Sequence, residues 1–92
     1  MKILTVCGMG LGSGLLLRMQ VEKALRQLGV QADVEVSDMG SARAMARTAD
    51  LIVTSPELAQ QLGDVQRPIV TIVNFISLPE MVTKLGAQLG KG

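Results

Sequence analysis

Apolar and polar positions along this chain follow two alternating rhythms. Short β-favouring runs stand at Lys2–Val6 (KILTV), Ala32–Val36 (ADVEV), Leu51–Thr54 (LIVT) and Ile69–Val73 (IVTIV). The second alternates with a period of two, the signature of an edge strand with one solvated face. The third and fourth are β-branched and nearly all apolar, as strands covered on both faces are. Helical spacing fills the intervals. From Gly14 to Leu28, the residues Leu17, Val21, Ala24, Leu25 and Leu28 share one face, and Gly29 ends the run. A weaker helix is predicted over Gly40 to Thr48, with Ala42, Met45, Ala46 and then Ala49 turned inward. Ser55-Pro56-Glu57 supplies an N-cap, a first-turn proline and an early acid for a short helix to Leu62. Ser77-Leu78-Pro79-Glu80 reads as a capping box, with Leu78, Val82, Leu85 and Leu89 as the face behind it.

Four strand–helix units predict an α/β fold: a four-stranded parallel sheet with right-handed crossovers and helices on both faces, a three-layer sandwich of the Rossmann-like or flavodoxin-like kind. Placing the alternating second strand at an edge gives the order 2-1-3-4, with the topological switch between strands one and three. Ligands of such sheets bind beyond the carboxyl ends of the strands at that switch. Here those ends are Cys7 to Gly14 and Thr54-Ser55. No linker or repeat interrupts the pattern, so residues 1–92 are expected to form one domain.

Composition narrows the chemistry. A hydrophobic content of 48% suffices for one modest core. A net charge of +1 offers no basic excess for nucleic acid, and Phe75, the sole aromatic residue, offers no stacking platform for bases. There is no histidine and one cysteine, so neither an internal disulfide nor a multi-ligand metal site is expected, and no cofactor is implied. Only Ile3–Val6 separate Lys2 from Cys7, against about 7–15 residues in the core of an export signal. No apolar run approaches the roughly 18 residues of a membrane span. A cytoplasmic, non-spanning protein is expected. Covalent chemistry must start from Cys7, a hydroxyl, a lysine or a carboxylate.

Cys7 stands at the head of a glycine cluster, Gly8, Gly10, Gly12 and Gly14, between the first strand and the first helix. Successive backbone N–H groups in such a turn form an anion nest, reinforced by the positive end of the helix. They would hold the oxygens of a phosphoryl group on the sulfur and lower the thiol pKa from its free value of about 8.5. The Ser13 hydroxyl is a candidate further donor. The plain alternative is structural, because free cysteine is among the most often buried residues and glycine is common turn chemistry.

Known loops can be compared with the stretch. A dinucleotide fingerprint fits Gly8 and Gly10 but meets Ser13 where its third glycine belongs, although Asp38 lies where a ribose-binding acid would. A nucleotide P-loop needs lysine at its end, and the first lysine after the glycines is Lys23. Cysteine phosphatases and arsenate reductases share the strand–cysteine–loop–helix order, but their loop arginine would fall at position 13, where Ser13 stands. Arg43 and Arg47 share a helical face and read as solvated. Ser55 and Asp38 read as caps or turn residues.

The segment Ile3–Gly14, ILTVCGMGLGSG, resembles the N-terminus of IIB components of the bacterial phosphoenolpyruvate-dependent sugar phosphotransferase system. Its C-G-x-G-x-G-S element, Cys7 to Ser13, is most similar to the ascorbate-type branch, with the galactitol-type branch close by. The likeness covers the whole chain, including ADLIVTS at Ala49–Ser55. It departs at Gly14, where a second small hydroxyl residue is expected, and at Met9, a position often polar. The resemblance implies a phosphotransferase in which Cys7 is the nucleophile and transient phosphocysteine. The implied cradle is the backbone of Gly8, Met9, Gly10, Leu11, Gly12, Ser13 and Gly14. A phosphohistidine on the IIA component would be the donor. A sugar, sugar acid or alditol bound by the membrane-embedded IIC transporter would be the acceptor. A phosphatase-like enzyme and a regulatory domain without the transfer role are the other classes weighed.

One expectation is independent of the family. With Leu17, Val21 and Leu28 turned inward, Leu15 and Met19 fall on the opposite face at about 100° per residue. Joined by Met9 and Leu11, they would form an apolar docking patch beside Cys7. Single exposed leucines are also ordinary on protein surfaces.

Overall fold

The computed structural model describes residues 1–8 and 11–90, and for 11–13 the backbone alone. The elements run β1 (Lys2–Val6), α1 (Leu11–Leu28), β2 (Asp33–Ser37), α2 (Met39–Ala46), β3 (Leu51–Thr54), α3 (Pro56–Leu62), β4 (Ile69–Thr71) and α4 (Leu78–Leu89). The strands form one parallel sheet in the order β2-β1-β3-β4. The expected order and layering are therefore present.

Alternation along the central strands divides the core in two. Ile3 of β1 and Cys7 just after it, with Leu51 and Val53 of β3, pack against Leu17, Val21, Ala24 and Leu25 of α1 and Met81 and Leu85 of α4. Leu4, Val6 and Ile52 face the other way, onto Ala42 and Ala46 of α2 and Leu62 of α3. The buried face of α2 is made of the small residues Ala42 and Ala46. α1 ends at Gly29, whose φ of +72° is a left-handed conformation that glycine adopts without a Cβ penalty. The following Val30 N–H donates to the Leu25 carbonyl at 3.0 Å and closes the helix.

Several boundaries differ from the sequence expectation; α2, for one, spans Met39–Ala46 rather than Gly40 to Thr48, and β2 starts at Asp33 rather than Ala32. α1 begins at Leu11 rather than Gly14, so the second half of the glycine cluster is helix. β2 extends to Ser37, because the Cys7 N–H donates to the Ser37 carbonyl at 3.1 Å and continues the β1–β2 ladder. β4 stops at Thr71 rather than Val73. The Val73 and Asn74 N–H groups are taken by the Glu80 carboxylate, at 2.7 and 2.9 Å, and turn the chain away from the sheet. The capping box is thus only half formed. Ser77 Oγ accepts the Glu80 N–H at 3.3 Å, while the Glu80 side chain serves the preceding loop.

Candidate functional site

The site begins where β1 ends. Cys7 is 6% exposed and belongs to the core cluster shared by α1 and α4. The chain then passes Gly8, whose α-carbon faces Leu58 of α3; a β-carbon there would meet the Leu58 methyls at 3.6 Å, an ordinary contact. Met9 and Gly10 lie outside the described residues, as do the side chains of Leu11 and Ser13. From Leu11 onward the backbone is helical, so the second part of the expected cradle, Leu11 to Gly14, is the first turn of α1. Backbone N–H groups in that first turn have no acceptor within the helix.

Gly14, in this first turn, is buried and closes over Cys7. A β-carbon on Gly14 would lie 4.0 Å from Cys7 Cβ and 2.8 Å from Val36 Cγ1. The glycine lets α1 start directly above the cysteine and the end of β2. It also explains Val36. Its neighbour Val34 is buried at 7% exposure under α1, whereas Val36, beneath a residue without a side chain, stays 38% exposed.

The helix ends are unequal in charge. α2 is capped by Asp38, whose carboxylate accepts the Ser41 N–H at 2.9 Å, and α3 and α4 carry Glu57 and Glu80 in their first turns. α1 has no acid in its first turn. The positive end of its dipole is therefore not offset by a carboxylate of its own first turn.

One electrostatic expectation is corrected. Burial pushes the Cys7 thiol above its ordinary value rather than below it. In the core-facing position that β1 gives it, loss of water around the sulfur disfavours the thiolate.

Of the residues expected in a docking patch, Leu15 and Met19 are at the surface as helical spacing predicts, while Met9 and the side chain of Leu11 lie outside the described residues. Leu15 and Met19 are 55% and 53% exposed, beside Leu16 at 38%. Asp38 and Ser55 cap α2 and α3 as expected. Arg43 is exposed and donates to the Gln61 carbonyl at 3.1 Å. Two residues near Cys7 have no role legible in the sequence. Val36 reads there as one step in an alternation. Thr54 reads as a strand end near the site, yet it is fully buried and its hydroxyl donates to the Val6 carbonyl at 2.8 Å.

These features define a class: an open α/β domain with a buried thiol at the switch point, beside the first turn of a helix that carries no acid there. The family model described as the lactose/cellobiose-specific IIB subunit of the PTS system matches residues 2–86. The chain belongs to this family of sugar phosphotransfer domains. It is 31% identical over 90 residues to the ascorbate-specific PTS system EIIB component of Mycoplasma pneumoniae, covering 97% of this chain and 95% of that protein. It is 29% identical over 85 residues to the protein of the same description from Shigella sonnei, covering 91% and 84%. In structure it is similar to the lactose-specific IIB component domain of Streptococcus pneumoniae, with a TM-score of 0.61 and 20% identity over 98% of this chain and 95% of that one. That last likeness concerns the fold.

Proposed function

We propose that this chain is a phosphoryl carrier working through Cys7. The observation that carries the reading is the stacking of the acid-free first turn of α1, at Gly14, directly over the β-carbon of Cys7. In the first step the Cys7 sulfur attacks the phosphorus of a phosphohistidine on a IIA component. The S–P bond forms, the P–N bond breaks, and the thiol proton passes to the departing imidazole nitrogen. In the second step a hydroxyl of a substrate bound by the membrane IIC transporter attacks the same phosphorus. The O–P bond forms, the S–P bond breaks, and the hydroxyl proton restores the thiol.

A raised thiol pKa suits this cycle. The resting sulfur keeps its proton, so it is spared from stray electrophiles, and the histidine leaving group needs that proton when the P–N bond breaks. The cradle comprises the backbone N–H groups of Gly8, Met9, Gly10, Leu11, Gly12, Ser13 and Gly14, with the Ser13 hydroxyl as a further donor. Serine at position 13, in place of the phosphatases' arginine, leaves the phosphoryl group loosely enough held to be handed on. Met9, Leu11, Leu15 and Met19 form the surface that meets IIA and IIC in turn, and methionine suits a surface with two partners. The proposed setting is the cytoplasmic side of the membrane. The ascorbate-specific relatives favour an ascorbate-like sugar acid rather than a disaccharide as the substrate, and the galactitol-type likeness of the loop makes an alditol the second choice.

Reconstitution tests the reading. Phosphoenolpyruvate, the general phosphotransferase proteins, a IIA component and IIC-containing membranes are combined with this protein, and phosphorylated sugar is measured. Product that needs this chain and disappears with Cys7→Ser is expected. Release of free phosphate from an aryl phosphate would instead indicate a phosphatase.

A further inference from the structure

We propose that Thr54, the last residue of β3, is a positioning residue for Cys7: its buried hydroxyl closes the seam between β1 and β3 at the Val6 carbonyl and so fixes where the Cys7 sulfur stands beneath α1. This rests on the reading of Cys7 as the phosphoryl acceptor. The β1–β3 register runs Ile3↔Leu51, Leu4↔Ile52 and Thr5↔Val53, and stops there. Beyond that point β3 gives way to Ser55, the cap of α3, and the two chains part. Val6 is nevertheless fully buried. Its carbonyl, past the end of the ladder, receives the Thr54 hydroxyl at 2.8 Å instead of a backbone N–H.

The consequence falls on a single peptide plane. The Val6 carbonyl and the Cys7 N–H belong to the same peptide unit and point to opposite sides. The carbonyl is held by Thr54 on β3, and the N–H donates to the Ser37 carbonyl on β2 at 3.1 Å. Thr54 is itself fixed, because its own carbonyl accepts the Ile72 N–H at 2.8 Å and ties it to the end of β4. With both ends held, the plane cannot swing, and the direction of the Cys7 side chain is set. With the hydroxyl removed, the plane is anchored on one side only and can rock about the Ser37 contact. In-line transfer of a phosphoryl group tolerates little such movement, since misplacement by about 1 Å can cost around a hundred-fold in rate. Threonine also keeps the hydroxyl in one preferred rotamer, because its β-branch is packed.

The test compares Thr54→Val, which keeps the shape and loses the donor, with Thr54→Ser, which keeps the donor. Thr54→Val is expected to lower kcat for phosphoryl transfer from phosphorylated IIA by about ten-fold. The KM for that partner should not change, because the docking residues are untouched. Thr54→Ser should remain within about two-fold of the parent protein. A second readout needs no partner: the titration of Cys7 followed in the native state through its ¹³Cβ resonance. Its midpoint should move in Thr54→Val and return in Thr54→Ser. A folded Thr54→Val with the parent's kcat and titration overturns the proposal, and so does a Thr54→Ser as impaired as the valine variant. Should Thr54→Val fail to fold, Thr54→Ala removes the same donor and is read the same way. If the parent protein accepts no phosphoryl group at all, the carrier reading fails. The titration then decides on Thr54 alone, and an unmoved midpoint overturns it.

Discussion

Gly14 and Val36 fit one another only because one of them has no side chain: a β-carbon on Gly14 would stand 2.8 Å from Val36 Cγ1. The hydroxyl residue that the ascorbate-type resemblance suggests at position 14 would meet this methyl. Two opposing terms set the outcome of Gly14→Ala. Replacing a helical glycine gains up to about 1 kcal/mol, while overpacking costs about 1–3 kcal/mol. The prediction is therefore a coupling. Gly14→Ala should be at least about 1 kcal/mol more favourable in a Val36→Ala background than in the parent, read from urea unfolding of the four proteins of a double-mutant cycle. Additive effects would contradict the contact.

Cys7 makes stability depend on pH in a definite direction. Its thiol is raised by burial, so the folded state disfavours the thiolate. The stabilisation this represents is complete below the unfolded thiol's pKa and is lost as pH rises through the folded value. The parent protein should lose stability relative to Cys7→Ser as pH is raised into the alkaline range, measured by thermal melting. Alkylation of Cys7 by iodoacetamide should be slow at neutral pH for the same reason. A parent that instead gained on Cys7→Ser as pH rose would mark an acidified thiol.

Glu80 gives the opposite dependence. Lys84 at 2.6 Å, followed by the Val73 and Asn74 N–H groups, holds its carboxyl at about 2, well below the ordinary 4.5. Its contribution is present above the ordinary value and is lost as pH falls from there through about 2. The gap in melting temperature between the parent and Glu80→Gln should close over that interval. Amide exchange at Val73 and Asn74 should be faster in the variant at neutral pH. Unchanged exchange would mean that the loop after β4 is held by something else.

Leu15 and Met19 separate docking from folding. Both are more than half exposed, so Leu15→Glu and Met19→Glu should change stability by no more than about 0.5 kcal/mol. The KM for phosphorylated IIA should rise about five-fold or more. An unchanged KM with either variant would remove that residue from the docking surface.

Periodicity was enough to read the sheet, because buried strands and amphipathic helices write their period directly into the sequence. Val34 and Leu17 face the core as their spacing demands. What periodicity could not show depended on contacts between distant segments. The loss of Val73 from β4 follows from Glu80, whose capping-box position concealed a second use for its carboxylate. The early start of α1 hid inside a run of glycines, where helix propensity argues against helix, and packing of Gly14 over Cys7 and Val36 overrides it. Cys7 itself was legible as the reacting residue proposed here, from its place between a strand and a glycine cluster. The direction of its pKa was not, because the glycines announce amides but say nothing of how deeply the sulfur is buried. The place of Thr54 at a strand end beside the switch point was legible, but the use of its hydroxyl was not, since a threonine ending an apolar strand is ordinary until the ladder is seen to stop at Thr5.

The central claim is that Cys7 carries the phosphoryl group, and intact-mass measurement tests it most directly. The protein is incubated with phosphoenolpyruvate, the general phosphotransferase proteins and a IIA component, alongside Cys7→Ser treated identically. The added mass of one phosphoryl group is expected on the parent chain and none on Cys7→Ser. The same adduct on both proteins, or none on the parent with any IIA component offered, would contradict it.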